Sequence, residues 1–156
     1  MVGISTGVFR VVLLTPKAKL MDCRAGSVTM PAYDGQWGIL RNHCPVLTRL
    51  KLGILQIRQI ADRPDAFYIL EGGLARVNDN HLTILAYDVL TFEGRSEEEV
   101  REMVSEAQSI VVGQEYIRTQ RLKVDPVRAQ LVVRMARMAG VDVGSVSTET
   151  AEQSPH

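Results

Sequence analysis

His81-Leu82-Thr83-Ile84-Leu85-Ala86-Tyr87-Asp88 and, a short connector later, Ser96-Glu97-Glu98-Glu99-Val100-Arg101-Glu102-Met103-Val104 decide how this chain folds. In the first stretch Leu82 and Ile84 share one face, the period-two pattern of a strand with one side buried and one side wet. In the second, Ser96 and Glu99 have the spacing of a capping box at a helix start. Val100, Met103, Val104, Ala107, Ile110, Val111 and Ile117 then recur at three- and four-residue intervals, one apolar stripe on a helix. The repeat changes from two to 3.6 residues after Asp88, so the chain reads as two parts.

Upstream of that change, strand-like runs follow one another at Val8–Leu14, Ala18–Met21, Ser27–Met30, Val46–Leu50, Ile54–Ile60, Phe67–Leu70, Leu74–Val77 and His81–Ala86. Turn residues separate them: Thr15-Pro16, Asp22, Asp34-Gly35, Asn42 with Pro45, Gly53, Asp62 to Asp65, Gly72-Gly73 and Asn78-Asp79-Asn80. Many short strands with no helix between them predict an antiparallel β-sandwich over residues 1–88. Downstream, Asp125-Pro126 is a second helix start, since aspartate caps and proline suits the first helical turn. Val127, Leu131, Met135 and Met138 would face one way, and Gly140 would stop the helix. The fold class expected is therefore mainly β plus α: a sandwich, an antiparallel helical hairpin over 89–140 with its turn at Arg121 to Val124, and a Ser/Thr/Glu-rich tail over 141–156 expected to be disordered.

Composition narrows the function. Lys+Arg and Asp+Glu are equal at 18 each, which gives no global field for nucleic acid or a bare anionic membrane. The longest apolar run, Val11 to Leu14 with Val8 and Phe9 before it, is far short of the roughly 18 residues of a membrane span. Membrane association is expected only through a partner. Cys23 and Cys44 lack disulfide-framework or metal spacing and read as small thiols in a reducing compartment, and His43, His81 and His156 show no metal pattern. His43-Cys44 could pair a base with a thiol, but neighbours on an extended segment point to opposite sides. No G-x-x-x-x-G-K-[ST] or G-x-G-x-x-G loop is present, and no catalytic set emerges. Charge is segregated on the hairpin. Glu93, Glu97, Glu98, Glu99, Glu102 and Glu106 precede Arg118, Arg121, Lys123, Arg128, Arg134 and Arg137. Two helices of opposite sign can attract each other, or the basic one can dock on an acidic partner.

Gly38-Ile39-Leu40-Arg41-Asn42-His43-Cys44-Pro45-Val46-Leu47-Thr48-Arg49-Leu50-Lys51-Leu52-Gly53 resembles the G-I-L-P-G-H-A-P-L-L-T-x-L-K-P-G block of F-type ATP synthase epsilon subunits. Leu14-Thr15-Pro16, Glu71-Gly72-Gly73-Leu74-Ala75-Arg76-Val77 and Asn80-His81-Leu82-Thr83-Ile84-Leu85-Ala86 are similar to further blocks of that family, in the same order. The resemblance runs over about residues 8–139 and implies a non-catalytic subunit of the central rotor stalk. The sandwich would grip the gamma subunit and rest on the c-ring loops. The hairpin would fold against the sandwich or extend toward the alpha and beta subunits, where it restrains ATP hydrolysis.

For partner contacts the resemblance points to Asp34, Gln36, Trp37, Arg41 and His43 on the sandwich and to Arg128, Arg134 and Arg137 on the hairpin. Gln36 stands where the family often has glutamate, and Trp37 beside it reads equally as a contact or a core residue. The alternative is an ATP-sensing domain with nucleotide on the folded hairpin. The first helix opens Ser96-Glu97-Glu98-Glu99-Val100-Arg101 without the I-D-x-x-R-A motif of nucleotide-binding members, so no cofactor is expected. The implied location is peripheral, at the cytoplasmic face of a bacterial inner membrane. Either a proton- or a sodium-driven motor fits.

Overall fold

The computed structural model describes residues 7–113 and 125–144. Eight strands come first: β1 (Phe9–Leu14), β2 (Lys19–Ala25), β3 (Ser27–Ala32), β4 (Gly35–Leu40), β5 (Val46–Arg58), β6 (Ala66–Asn78), β7 (His81–Ala86) and β8 (Val89–Leu90). Two helices follow, α1 (Glu97–Val112) and α2 (Pro126–Met138). The strands hydrogen-bond in the order β2-β1-β7-β6-β5-β3-β4, with β8 on β6. Every pairing is antiparallel except β1 with β7.

The architecture turns on the long pair β5 and β6, which run side by side from Val46↔Val77 to Ile57↔Ala66. Residues 46–50 and 73–77 of this pair continue into β7, β1 and β2. Residues 54–58 and 66–70 continue into β3, β4 and β8. Between the halves the pair bends at Gly72 (φ +75°) and Gly73 (φ +138°). The inward set of β6 is Ala66, Tyr68 and Leu70 before the bend and Ala75 and Val77 after it, a shift of one residue. The two halves thus face each other across one interior of Val11, Leu13, Met30, Ile39, Leu55, Ile57, Tyr68, Leu70, Leu82 and Ile84, each at most 1% exposed.

Several turn signals in the sequence fall inside strands. Gly53 and Gly72-Gly73 do not end strands; they mark close backbone approach and bending within β5 and β6. A Cβ at Gly73 would lie 2.1 Å from the Leu85 carbonyl oxygen, and one at Gly53 would lie 2.5 Å from Pro31 Cβ. Asp22 lies within β2, an edge strand, where its carboxylate faces outward. It takes two hydrogen bonds from Arg10 (3.0 and 2.9 Å) and one from Lys19 (3.1 Å). The Arg10 and Lys19 contacts hold this carboxyl well below the usual carboxylate range. Edge strand β4 was absent from the expected runs because Gly35 and Gly38 interrupt its alternation. Asn78-Asp79-Asn80 does turn the chain. Asp79 and Asn80 both have positive φ between the paired Asn78 and His81, as a two-residue hairpin with right-handed strand twist requires.

The helices pack on the outer face of the second half-sheet. There Ile54 and Ile69 point away from the interior and join Val100, Val104, Ala107, Ala129, Val132, Met135 and Ala136 in a separate apolar cluster. Helix α2 lies against β5 and β6, and α1 packs on α2. Ser96 caps α1 with the full reciprocal capping box, and Asp125 caps α2 by accepting from the Val127 N–H. Gly140 (φ +73°) ends α2 in a Schellman arrangement, its N–H donating to the Arg137 carbonyl while the Val141 N–H donates to that of Ala136. The expected stripe of α2 needs correction. Val127 is 54% exposed, and Ala129 and Ala136 take the buried face with Val132 and Met135, because small side chains let the helix approach the sheet. Val141 and Val143 also lean on this cluster. Ile117, Arg118, the proposed turn at Arg121 to Val124 with Lys123, and the tail from 145 onward lie outside the described residues.

Gly73→Ala should destabilise the fold by about 2–4 kcal/mol in urea unfolding, since it combines a disfavoured φ with collision against backbone. Gly94→Ala also strains a positive φ (+74°) but meets open space, and should cost about 1 kcal/mol. Equal losses for the two would contradict the Gly73 packing.

Candidate docking surfaces and the hairpin attachment

The expected sandwich contacts do not form one site. Asp34, exposed in the β3–β4 turn, and Arg41, exposed beyond β4, lie at opposite ends of that strand, about 20 Å apart at roughly 3.3 Å per residue. Gln36 projects to solvent between them. Trp37 is half-buried and packs against the sandwich interior. His43 is half-buried at the Arg41 end. Its Nδ1 lies 2.7 Å from the Cys44 carbonyl oxygen, which can only accept, so Nδ1 carries the proton. The Cys44 sulfur, 3.9 Å away, therefore faces an N–H and not a basic lone pair. Cys23 is half-buried, and burial pushes its thiol up.

The fold also joins what the sequence keeps apart. At the Arg41 end, the loop Asn42-His43 meets the β6–β7 turn. Asn80 Oδ1 accepts from the Asn42 N–H at 2.7 Å, and Asn80 Nδ2 donates to Asn42 Oδ1 at 3.2 Å. In the sequence Asn78-Asp79-Asn80 marks a strand break and Asn80 opens a motif block; neither signals the contact with Asn42. A second surface was not singled out at all. On the outer face of the first half-sheet, Arg49 pairs with Leu74 and Leu74 with Leu85 across β5, β6 and β7, while Leu47 pairs with Arg76 in the next row. Leu47 is 69%, Leu74 42% and Leu85 43% exposed. Arg49 lies over the ring of Tyr33 at 5.1 Å, which rigidifies one margin. The signal was present in Leu82-Thr83-Ile84-Leu85: with Leu82 and Ile84 inward, Leu85 must stand on the wet side.

On the hairpin, Arg134 and Arg137 are exposed. Arg128 turns inward to the sandwich, with Nη1 2.7 Å from Glu71 Oε1 and Nη2 4.0 Å from Asp88 Oδ2. Among the described residues no ion pair links α1 with α2, and Arg128 is paired with the sandwich. The connector is held separately. Glu93 accepts from Arg63 Nη2 at 2.5 Å and from the Tyr68 hydroxyl at 3.0 Å. The Thr91 hydroxyl donates to the Phe67 carbonyl at 3.2 Å. No sequence pattern announces Arg63, Tyr68 and Glu93 as a set, since their partners are 25 and 30 residues apart.

A two-part chain, a bent sandwich carrying a helical hairpin on one outer face and a surface of interleaved leucines and arginines on the other, is the class of protein that these features define. The sandwich matches a family model described as "ATP synthase, Delta/Epsilon chain, beta-sandwich domain" over residues 8–92. Similar chains are named ATP synthase epsilon chain. The chloroplastic chain of Chlamydomonas reinhardtii is 32% identical over 101 residues, 62% of this chain and 72% of that one. The chain of a Synechococcus species is 35% identical over 104 residues, covering 67% and 74%. The Thermosynechococcus vestitus chain is 41% identical over 78 residues, about half of each. This chain therefore belongs to the epsilon subunits of F-type ATP synthases. The fold alone is also similar to a chain in the cryo-EM structure of Euglena gracilis mitochondrial ATP synthase, OSCP/F1/c-ring, with a TM-score of 0.53 and 16% identity over 88% of this chain and 82% of that one. Among the described residues no helix is long and apolar enough to cross a membrane.

Tyr68, 1% exposed, has its phenol pushed well above the ordinary value of 10.0, first by burial and then by the Glu93 carboxylate. The native state keeps this proton at pH values where the unfolded chain releases it, so stability should fall as pH rises past about 10. Spectrophotometric titration should show one tyrosine ionising only as the fold is lost. Tyr68→Phe should remove that late step, and its persistence would place the perturbed tyrosine elsewhere.

Proposed function

We propose that this subunit couples gamma to the c-ring in the central stalk and restrains ATP hydrolysis through its hairpin, without catalysing a reaction itself. The observation that carries the reading is the separation of two outer faces. The hairpin covers one. The other presents Leu47, Leu74 and Leu85, interleaved with Arg49 and Arg76, to a partner. Exposed leucines interleaved with arginines on one sheet surface have the composition enriched at interfaces. We assign that patch to gamma. The c-ring would meet a sandwich end, where Asp34 or the Arg41, Asn42 and His43 loop is presented. The exposed Arg134 and Arg137 would reach acidic surface on beta when the hairpin extends, and Arg128 would join them on leaving Glu71. Nucleotide has no part in this reading, because α1 opens without a nucleotide motif and Arg128 is engaged by the sandwich. A bacterial setting is the one we favour, supported by the cyanobacterial relatives.

Leu74→Asp with Leu85→Asp should weaken co-purification with gamma by at least about tenfold, since each buries a charge at the proposed interface. Both sites are exposed in the isolated chain, so thermal unfolding should shift little. Undiminished gamma binding would move the interface to another face. Truncation after Gly94, which keeps β8 and the Glu93 contacts, should leave assembly intact and raise ATPase activity of the complex. An unchanged rate would mean that the hairpin does not inhibit.

A further inference from the structure

We infer that the pivot of the hairpin is Gly94-Arg95, that residues 88–93 stay on the sandwich when the helices leave, and that the Arg128 contact with Glu71 and Asp88 is the latch that holds them down. This rests on the proposed mobile role of the hairpin and locates the moving boundary within it.

Two kinds of attachment are present, and they overlap in the connector. Leu90 and Phe92 also pack against the helices' apolar cluster. Arg95 donates from its N–H to the Phe92 carbonyl at 3.2 Å and from its guanidinium to the Thr91 carbonyl at 3.0 Å, a local turn that the pivot must open. Up to Glu93 the connector belongs to the sheet. The Glu71 N–H donates to the Asp88 carbonyl at 2.9 Å, Val89 and Leu90 pair with Leu70 and Ile69, and Thr91 holds the Phe67 carbonyl. Glu93 then closes the run with both carboxylate oxygens occupied, one by Arg63 of the β5–β6 loop and one by buried Tyr68. Freeing it would leave the Tyr68 hydroxyl without its acceptor, which is costly in an interior. At Gly94 the backbone takes φ +74° with nothing within 4 Å of a would-be Cβ. Beyond it, Ser96 and Glu99 cap α1 by themselves and ask nothing of the sandwich.

The helices hold on differently. Their apolar cluster is distinct from the sandwich interior; Ile54 and Ile69 are its buried members from the sheet, with Leu52, Phe67 and Leu90 of the strands and Phe92 of the connector partly buried against it. The α2 face turned inward is largely small, with Ala129 and Ala136 beside Val132 and Met135. Within this non-directional contact, Arg128 makes, among the described residues, the ion-pair link between α2 and the sheet, and its side chain is 37% exposed. Glu71 sits where β6 begins its bend, and Asp88 sits at the start of the retained connector. Both latch acids thus lie on the part that does not move. The arginine lies on the part that does. Release therefore exchanges one acidic partner for another, without leaving a charge buried.

Hydrogen–deuterium exchange on the full-length chain, read by peptide, tests both claims. Arg128→Ala should speed exchange across 97–112 and 126–138 by about fivefold, the scale of a partly exposed ion pair, and leave 88–93 unchanged. The exchanged pair Glu71→Arg with Arg128→Glu should restore slow exchange in the helices. Glu93→Gln should speed exchange in 88–93. If Arg128→Ala speeds 88–93 together with the helices, the pivot lies earlier and the inference fails. If the helices do not respond, the latch fails. The measurement is made on the isolated chain and inhibition on the assembled complex. A hairpin that pivots without inhibiting would overturn the functional reading alone.

Discussion

Gly73 has to lie against the Leu85 carbonyl for this molecule to exist. The β5–β6 pair is continuous, and a continuous pair of 13-residue strands would otherwise make an extended ribbon with two wet faces. At Gly72 and Gly73 the backbone takes conformations that L side chains avoid, and the ribbon folds back so that its halves share one interior. The same bend shifts the inward parity of β6 by one residue. Side chains before and after it therefore meet, although a straight strand would place them on opposite faces. With β1 and β7 on one half and β3 and β4 on the other, the interior closes around Leu13, Leu55, Tyr68 and Ile84.

That bend also determines what each outer face can do. Before it, β6 is buried on both sides, because Tyr68 and Leu70 look inward while Ile69 looks out to α2. After it, burial alternates, with Ala75 and Val77 inside and Leu74 and Arg76 outside. One strand thus serves as the floor of the hairpin and as the margin of the opposite surface. The hairpin is joined to this floor through a non-directional apolar cluster, Ala129, Val132, Met135 and Ala136 on Ile54 and Ile69, and one partly exposed ion pair, a contribution of about 0–1 kcal/mol from the pair. The connector is joined by strand pairing and a buried hydroxyl. The difference in strength between these attachments gives the chain one rigid body and one appendage, within a protein that lacks a central field of its own.

Most of the architecture was legible from periodicity. Leu82 and Ile84 marked a half-buried strand, Ser96 and Glu99 a helix start, and Asp125-Pro126 a second one. Glycine misled in both directions. Gly53 and Gly72-Gly73 read as strand ends and are strand interiors, while Gly35 and Gly38 hid β4 altogether. The inward face of α2 was misjudged because alanine carries little hydrophobic signal yet packs closest. Of the expected contact residues, Trp37 turned toward the core, and Arg128 was engaged by Glu71 and Asp88. Asp34 and Arg41, neighbours in a motif, were carried to opposite ends of a strand.

What the sequence determined by itself is local: the period of each element, the caps that start the helices, the Asp79-Asn80 turn, and a set of motif blocks in order. These depend on interactions within a few residues, which is the range over which side-chain pattern is informative. The tertiary structure alone decided the contacts between distant segments. It placed Glu93 on Arg63 and Tyr68, Arg128 on Glu71, and Leu47, Leu74 and Leu85 on one outer face. Such contacts form only once distant strands have paired and the helices have docked, and neither partner's neighbours in the chain carry a trace of the other.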